Sequence, residues 1–78
     1  PFRLRLAEYF RQSVDNTSEL IREGIQRGEF RCDIEPKAVA YMIFGSMEGL
    51  LLLCKNLKQM EPLEMGFEAV LKSIQAGR

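Results

Sequence analysis

The sequence predicts an all-α domain, and three observations support that prediction. Apolar residues recur at three- and four-residue intervals along both ends of the chain, which is the period of an α-helix. Pro36 and Pro62 each stand at the start of an apolar segment, where a helix tolerates a missing N–H group. Gly28 and Gly77 follow such segments, as glycine commonly does where a helix ends. We therefore predict three antiparallel-type helices, at residues 3–27, 36–57 and 62–77.

The first predicted helix has an apolar stripe and a charged side. Glu23 and Arg27 are four residues apart in the favourable order, which adds about 0.2–0.5 kcal/mol. Gly28 is expected to end the helix. The stripe consists of Leu6, Phe10, Val14, Thr17, Ile21, Gly24 and Ile25.

The second helix has a defined start. Glu35 is the expected N-cap and Pro36 the first helical residue, which gives Ile34 and Val39 the spacing of a hydrophobic staple. The third helix is predicted to start at Pro62 by the same reasoning. It carries an apolar stripe of Leu63, Phe67, Val70, Leu71 and Ile74, flanked by the small residues Gly66, Ala69, Ser73 and Gly77.

The second helix is apolar on two sides. Between residues 38 and 54 its only charged residue is Glu48. A helical projection places mostly small residues on one side, namely Ala38, Met42, Gly45, Gly49 and Leu52. The opposite side holds Ala40, Ile43, Met47, Leu50, Leu51 and Cys54. A helix with two apolar faces needs two packing partners, and 78 residues provide few.

The glycine pair Gly45 and Gly49 removes two Cβ atoms from one ridge of this helix, so another helix can approach it closely. Two alternatives remain for the helix that packs on these glycines: the third helix of the same chain, or a second copy across a two-fold axis. We favour the second copy, because one short helix cannot cover both faces. Two helices from each copy would then form a four-helix bundle.

Composition narrows the functional classes. The net charge is zero, with six basic and seven acidic residues before Pro36 and five against four after it, so no phosphate-binding surface accumulates. The apolar run of seventeen residues falls short of the ~20 that a bilayer requires, so we expect a soluble, cytoplasmic protein rather than a membrane protein. The first residue is not methionine, so we also expect a piece of a longer protein.

Catalytic and metal-binding patterns are missing from the sequence. It contains no histidine, and Cys32 and Cys54 form no CxxC motif, so we predict no metal site, no cofactor and no enzymatic activity. A buried free thiol is the usual state of a cysteine such as Cys54, in an apolar helix, and a disulfide with Cys32 is the alternative.

Two sets of residues have both a structural and a functional interpretation. Glu48 is either a carboxylate at the bundle edge, paired with Lys55 or Tyr41, or a group that contacts a ligand. Apolar side chains of the first two helices either form plain core or line a cavity for a small effector. The candidates for that effector pocket are Phe10, Val14, Met47 and Leu51.

Three segments in order resemble the C-terminal regulatory domain of TetR/AcrR-type transcriptional repressors. They are a long helix that ends in Gly28-Glu29-Phe30, the joint Asp33-Ile34-Glu35-Pro36, and an apolar helix that contains Gly45-Ser46-Met47-Glu48-Gly49-Leu50. The resemblance covers about residues 20–77.

The resemblance implies a homodimer held by the last two helices of each subunit, here residues 36–57 and 62–77. The expected interface residues are Ala38, Met42, Gly45, Gly49, Leu52, Gly66, Phe67, Val70, Ser73 and Ile74. It also implies a small, often hydrophobic effector bound among the middle helices, and a helix-turn-helix domain that lies N-terminal to this single domain and alone contacts DNA. The effector would have to bind the DNA-incompetent arrangement more tightly.

A different function is the alternative. The apolar groove of a helical interaction module could bind an amphipathic helix of another protein. The free chain would then be monomeric.

Overall fold

Three α-helices form most of the chain in the computed structural model, which describes residues 2–77: α1 (Phe2–Gln26), α2 (Pro36–Leu57) and α3 (Glu61–Ile74). The all-α prediction is confirmed, and α2 has the predicted bounds. Helix α1 begins and ends one residue before its predicted limits, a difference within the usual uncertainty of helix ends.

Gly28 ends α1 as predicted. Its φ of 79° lies in the left-handed region, which glycine adopts without steric cost. The N–H groups of Glu29 and Phe30 both donate to the carbonyl oxygen of Gly24, at 2.8 and 3.3 Å. These bonds turn the chain back, so that the Phe30 ring occupies the space beside Gly24 where a Cβ would otherwise project.

The start of α2 also follows the prediction. A side-chain oxygen of Glu35, Oε1, accepts a hydrogen bond from the Ala38 N–H at 2.8 Å, which satisfies a donor left free at the first turn. Val39 is buried, and Ile34 packs against the same core cluster. At its other end α2 stops at Lys58, whose φ of 55° is left-handed and whose N–H donates to the Cys54 carbonyl.

The predicted end of α3 at Gly77 is wrong, because the helix ends at Ile74. Gln75 is extended and forms an antiparallel bridge with Phe30. The Arg31 N–H donates to the Ile74 carbonyl at 2.9 Å, and the Ala76 N–H donates to the Glu29 carbonyl at 3.0 Å. These main-chain bonds replace the last helical turn and fasten the end of α3 to the α1–α2 connection.

The molecule is flat, with principal extents of 37 × 33 × 13 Å, and α2 lies between α1 and α3 and packs against both. A slab this thin has few positions covered on all sides. Its core cluster consists of Val14, Ile21, Val39, Ala40 and Ile74. The buried Ser18 hydroxyl donates to the Val14 carbonyl at 2.8 Å and so satisfies its hydrogen-bonding potential within α1.

Cys54 is buried and Cys32 exposed, and both are free thiols. The disulfide that the sequence left open is therefore not formed. Within residues 2–77, no three His, Cys, Asp or Glu side chains are grouped closely enough to hold a metal ion.

Candidate functional site

The two apolar sides of α2 have different environments. Ala40 and Cys54 are buried on the inward side, and Ile43, Met47 and Leu50 are partly covered there. Leu51, which the projection assigned to the same side, is half exposed. Every residue of the other predicted side is exposed: Ala38, Met42, Gly45, Gly49 and Leu52. One protomer therefore covers only one apolar side of this helix.

At Gly45 and Gly49 no side chain projects from the exposed side of α2. Apart from the neighbouring residues of its own helix, a Cβ added to Gly45 or to Gly49 would meet no atom of residues 2–77 within 4 Å, whereas a Cβ on Gly66 of α3 would lie 2.5 Å from a methyl group of Leu50. The close approach between α2 and α3 thus occurs at Gly66. The alternative in which Gly45 and Gly49 receive the third helix of the same chain is excluded.

A shallow apolar groove, here called the α2–α3 groove, runs beside these glycines. Its volume is about 440 Å³, and among residues 2–77 Ser46 is the only one with a polar side chain in its lining. The lining residues are Gly45, Ser46, Gly49, Leu50, Leu53, Gly66 and Val70.

The residues of α3 that were predicted at a dimer interface fall into three groups. Phe67 and Ser73 are exposed, and Gly66 and Val70 are half-buried at the groove. Ile74 is only 3% exposed and belongs to the core of the protomer. The assignment of Ile74 to the interface is therefore wrong: it belongs to the core cluster with Val14 and Val39, so it has almost no surface to offer a second copy.

A second groove, the α1–α2 groove, lies on the other flank of α2, with a volume of about 510 Å³. It contains two of the four predicted pocket residues, Phe10 and Val14, but neither Met47 nor Leu51 lines it. The full lining is Ala7, Phe10, Arg11, Val14, Tyr41, Phe44, Gly45 and Glu48.

The sequence-based pocket assignment missed six lining residues: Ala7 and Arg11 of α1, and Tyr41, Phe44, Gly45 and Glu48 of α2. The spacing of the four α2 residues, at three, four and seven positions from Tyr41, places them on one stripe of that helix. That stripe was visible in the sequence. Which α2 stripe faces Phe10 depends on how α1 packs against α2, so the sequence did not select it.

Gly45 lines both grooves. The two grooves therefore meet at this position on the exposed side of α2, where no side chain separates them. Any group that packs on Gly45 borders both.

The α1–α2 groove contains two charged side chains in different situations. Arg11 forms an ion pair with Glu8 on the same helix. Glu48 has neither an ion pair nor a side-chain hydrogen bond with any residue between 2 and 77, so neither predicted partner, Lys55 or Tyr41, pairs with it. The groove is thus mostly apolar and carries one charged side chain of each sign, Arg11 and Glu48.

Comparison with known proteins decides the family. The family model described as "Tetracyclin repressor-like, C-terminal domain" matches residues 1–70. The chain belongs to this TetR family. No curated protein matches the sequence.

The TetR fold is also found by structural comparison. The crystal structure of a TetR transcriptional regulator from Chloroflexus aurantiacus J-10-FL superposes with a TM-score of 0.83 over 99% of this chain, at 24% sequence identity. The chain spans 41% of the length of that regulator. At this identity the likeness concerns the fold. Neither the family nor this neighbour is an enzyme; both are transcriptional regulators.

Length by itself does not exclude a membrane span for α2 of this TetR domain. Helix α2 has 22 residues, a mean hydropathy of 1.5 in its most apolar window, and 17% of that window buried, so by length and composition it could cross a bilayer. Such a helix is weak evidence, because a soluble protein's core helix satisfies the same test. Here α2 contributes Val39 and Ala40 to a core shared with both other helices.

Proposed function

We propose that this TetR-family domain dimerises through α2 and α3 and senses a small molecule, and thereby controls a DNA-binding helix-turn-helix domain N-terminal to it in a cytoplasmic regulator. The observation that carries the proposal is the open glycine ridge at Gly45 and Gly49, flanked by exposed Met42 and Leu52. An exposed apolar surface of this kind marks an interface in a soluble protein.

The occupant of this surface is a second copy of the chain. The exposed face of α2 carries no charge along Ala38, Met42, Gly45, Gly49 and Leu52, so it complements itself when a copy is rotated by 180°. The chain has zero net charge, so two copies do not repel at long range. The α2–α3 groove lies beside the ridge and receives the side chains of the approaching helix.

Sensing is proposed for the α1–α2 groove, whose size falls within the usual range of about 300–1,000 Å³ for small-molecule sites. Because Gly45 lines both grooves, a ligand in the α1–α2 groove and a second copy on the ridge share one helix position. A ligand that fits one dimer arrangement better than another then shifts the population between them, which is the requirement for control at a distance.

Sedimentation equilibrium of the chain at micromolar concentration tests the assembly. We expect twice the 9.0 kDa mass of the protomer. A 9.0 kDa species at these concentrations contradicts the proposal, and a monomer that binds an amphipathic peptide supports the interaction-module alternative. Flotation of the chain with lipid vesicles, with loss of the dimer, would instead assign the exposed face of α2 to a membrane.

A further inference from the structure

One end of the molecule holds the antiparallel bridge between Phe30 and Gln75. This bridge, with its two main-chain hydrogen bonds, is here called the clasp (residues 29–31 and 74–76). Within residues 2–77, α1 and α3 each pack against α2, and their backbones do not pack against each other. The clasp therefore links α1 to α3 by a route that bypasses α2.

Both sides of the clasp are firmly attached to a helix. On the α1 side, the N–H groups of Glu29 and Phe30 donate to the Gly24 carbonyl, and the Phe30 ring packs beside Gly24. On the α3 side, the Arg31 guanidinium donates to the Ser73 carbonyl at 3.3 Å. A cation is favourable there, because the last carbonyl groups of a helix lack helical partners. The last turn of α1 is thus tied to the last turn of α3.

The α1–α2 groove lies towards the other end of α1. Its lining residue Ala7 is separated from Gln26, the last residue of α1, by about 28 Å at 1.5 Å per residue. Because a helix is a rigid element, a tilt imposed on α1 in the groove also tilts its far end, where the clasp is attached.

We propose that the clasp transmits a displacement of α1 in the groove to α3, and so couples occupancy of the groove to dimerisation. This inference rests on the proposed function and names the element that links its two parts. A bulky group between α1 and α2 tilts α1, and the clasp moves the end of α3 with it. Because α3 carries the exposed Phe67 and borders the α2–α3 groove at Gly66 and Val70, the surface offered to a second copy changes. Such a change alters the dimer affinity, which is the coupling between two sites.

A tryptophan in the groove takes the place of an effector in the test. Ala7→Trp adds a large side chain to the groove lining, and Gln12→Trp adds the same side chain to the exposed surface of α1 outside that lining. By sedimentation equilibrium, we expect Ala7→Trp to change the dimer dissociation constant at least about fivefold, the lower end of the usual coupling between sites. Gln12→Trp should leave it unaltered.

Ala76→Pro opens the clasp, because proline has no N–H to donate to the Glu29 carbonyl. Gln75 has a φ of −65° and a ψ of 147°, a conformation that a residue before proline adopts readily. Ala76 is exposed, so the change leaves the core intact. Ala76→Ser is the matched control, since serine keeps the N–H. We expect the effect of Ala7→Trp to disappear with Ala76→Pro and to persist with Ala76→Ser.

Arg31→Gln is a second and milder way to loosen the clasp. It removes the guanidinium bond to the Ser73 carbonyl and leaves both main-chain bonds in place, so it should reduce the effect of Ala7→Trp only in part. Circular dichroism should show the same helix content in all of these variants. An effect of Ala7→Trp that is undiminished by Arg31→Gln and by Ala76→Pro contradicts the proposal.

Amide NMR shifts provide a readout that does not require a dimer. Lys72 and Ser73 lie beside the clasp, at the far end of α1 from Ala7. We expect Ala7→Trp to shift their amide resonances while the clasp is intact, and not in the Ala76→Pro background.

The remaining outcomes separate this inference from the proposed function. If Ala7→Trp changes the dissociation constant equally with and without Ala76→Pro, α2 carries the coupling and the role of the clasp is overturned. If Ala7→Trp alters neither the dissociation constant nor the α3 amides of a dimeric chain, the coupling is overturned and the assembly role stands. A monomeric chain whose α3 amides respond only while the clasp is intact supports the clasp and contradicts dimerisation.

Discussion

Four helical glycines form two pairs with opposite surroundings. Gly24 of α1 and Gly66 of α3 are covered by side chains of the same protomer, Phe30 and Leu50 respectively. At Gly45 and Gly49 of α2, the part of the chain that the structure describes places no atom from outside the local helix within 4 Å of a Cβ position. Both pairs consist of glycine in an α-helix, and they differ in the side chains that pack around them.

This difference separates the glycines that pack within the protomer from those that would be available to the proposed second copy. A glycine inside a helix costs about 0.5–1 kcal/mol relative to alanine, so its use requires a close approach. The protomer provides that approach at Gly24 and Gly66. At Gly45 and Gly49 the protomer provides no such approach, which supports the proposed second copy.

The largest effect is expected from Gly45→Leu combined with Gly49→Leu. Overpacking costs about 1–3 kcal/mol, and each substitution occurs in both subunits of a two-fold interface. The dimer dissociation constant should therefore increase at least about 30-fold. Sedimentation equilibrium measures this change. Circular dichroism should show retained helix, because leucine is a better helix former than glycine.

Gly77→Leu is the control for that double variant. Gly77 also has no atom within 4 Å of a Cβ position, but it lies beyond the end of α3. Its change should leave the dissociation constant unaltered. If the double variant at Gly45 and Gly49 dimerises as tightly as the unchanged chain, the ridge is not the interface.

Gly24→Ala is expected to have the next largest effect, on folding. The new methyl group meets the Phe30 ring, and the overpacking cost of about 1–3 kcal/mol exceeds the gain in helix propensity of at most about 1 kcal/mol. Urea unfolding at fixed protomer concentration should show a net loss of about 1–2 kcal/mol. Adding Phe30→Leu should recover part of it, and additive effects of the two changes would show that no such clash exists.

Gly66→Ala is expected to change stability by less than about 1 kcal/mol. The atoms that its Cβ approaches are the methyl groups of Leu50, the far end of a flexible side chain beside the open α2–α3 groove. Leu50 can move into that groove, and the helix propensity of alanine offsets the remaining strain. A loss as large as that of Gly24→Ala, in the same urea assay, would show that Leu50 is held rigidly.

The smallest effect concerns pH. Hydrogen bonds from the Arg31 guanidinium, at 2.7 and 3.0 Å, hold the pKa of the Asp33 carboxyl below its ordinary value of 3.8. A lowered folded-state pKa adds stability that is complete above the unfolded pKa and is lost as pH falls through the folded one, here below about pH 4. The pair is solvent-exposed, so the loss is small.

NMR titration of the Asp33 carboxyl carbon checks this direction. The pKa should return towards its ordinary value in Arg31→Gln, which also removes the bond from Arg31 to the Ser73 carbonyl. A pKa of Asp33 that is the same in both proteins would show that the ion pair does not form in solution.

Local signals in the sequence were enough to predict most of the helix ends. Glu35, Pro36 and Gly28 each act on backbone groups within four residues, so the ends of α1 and α2 follow from short-range chemistry. The end of α3 does not, because the partners of Gln75 and Ala76 are Phe30 and Glu29, more than forty residues earlier. No local pattern contains that pairing.

The same division applies to the surfaces. The sequence alone determined that α2 has more apolar surface than a short chain can bury, because helical periodicity assigns each side chain to a side. Only the tertiary structure decided which side is covered, that Ile74 faces the core, and that Tyr41 and Glu48 share a groove with Phe10. Those facts depend on how three helices rotate against one another, and that rotation is set by packing between residues distant in the chain.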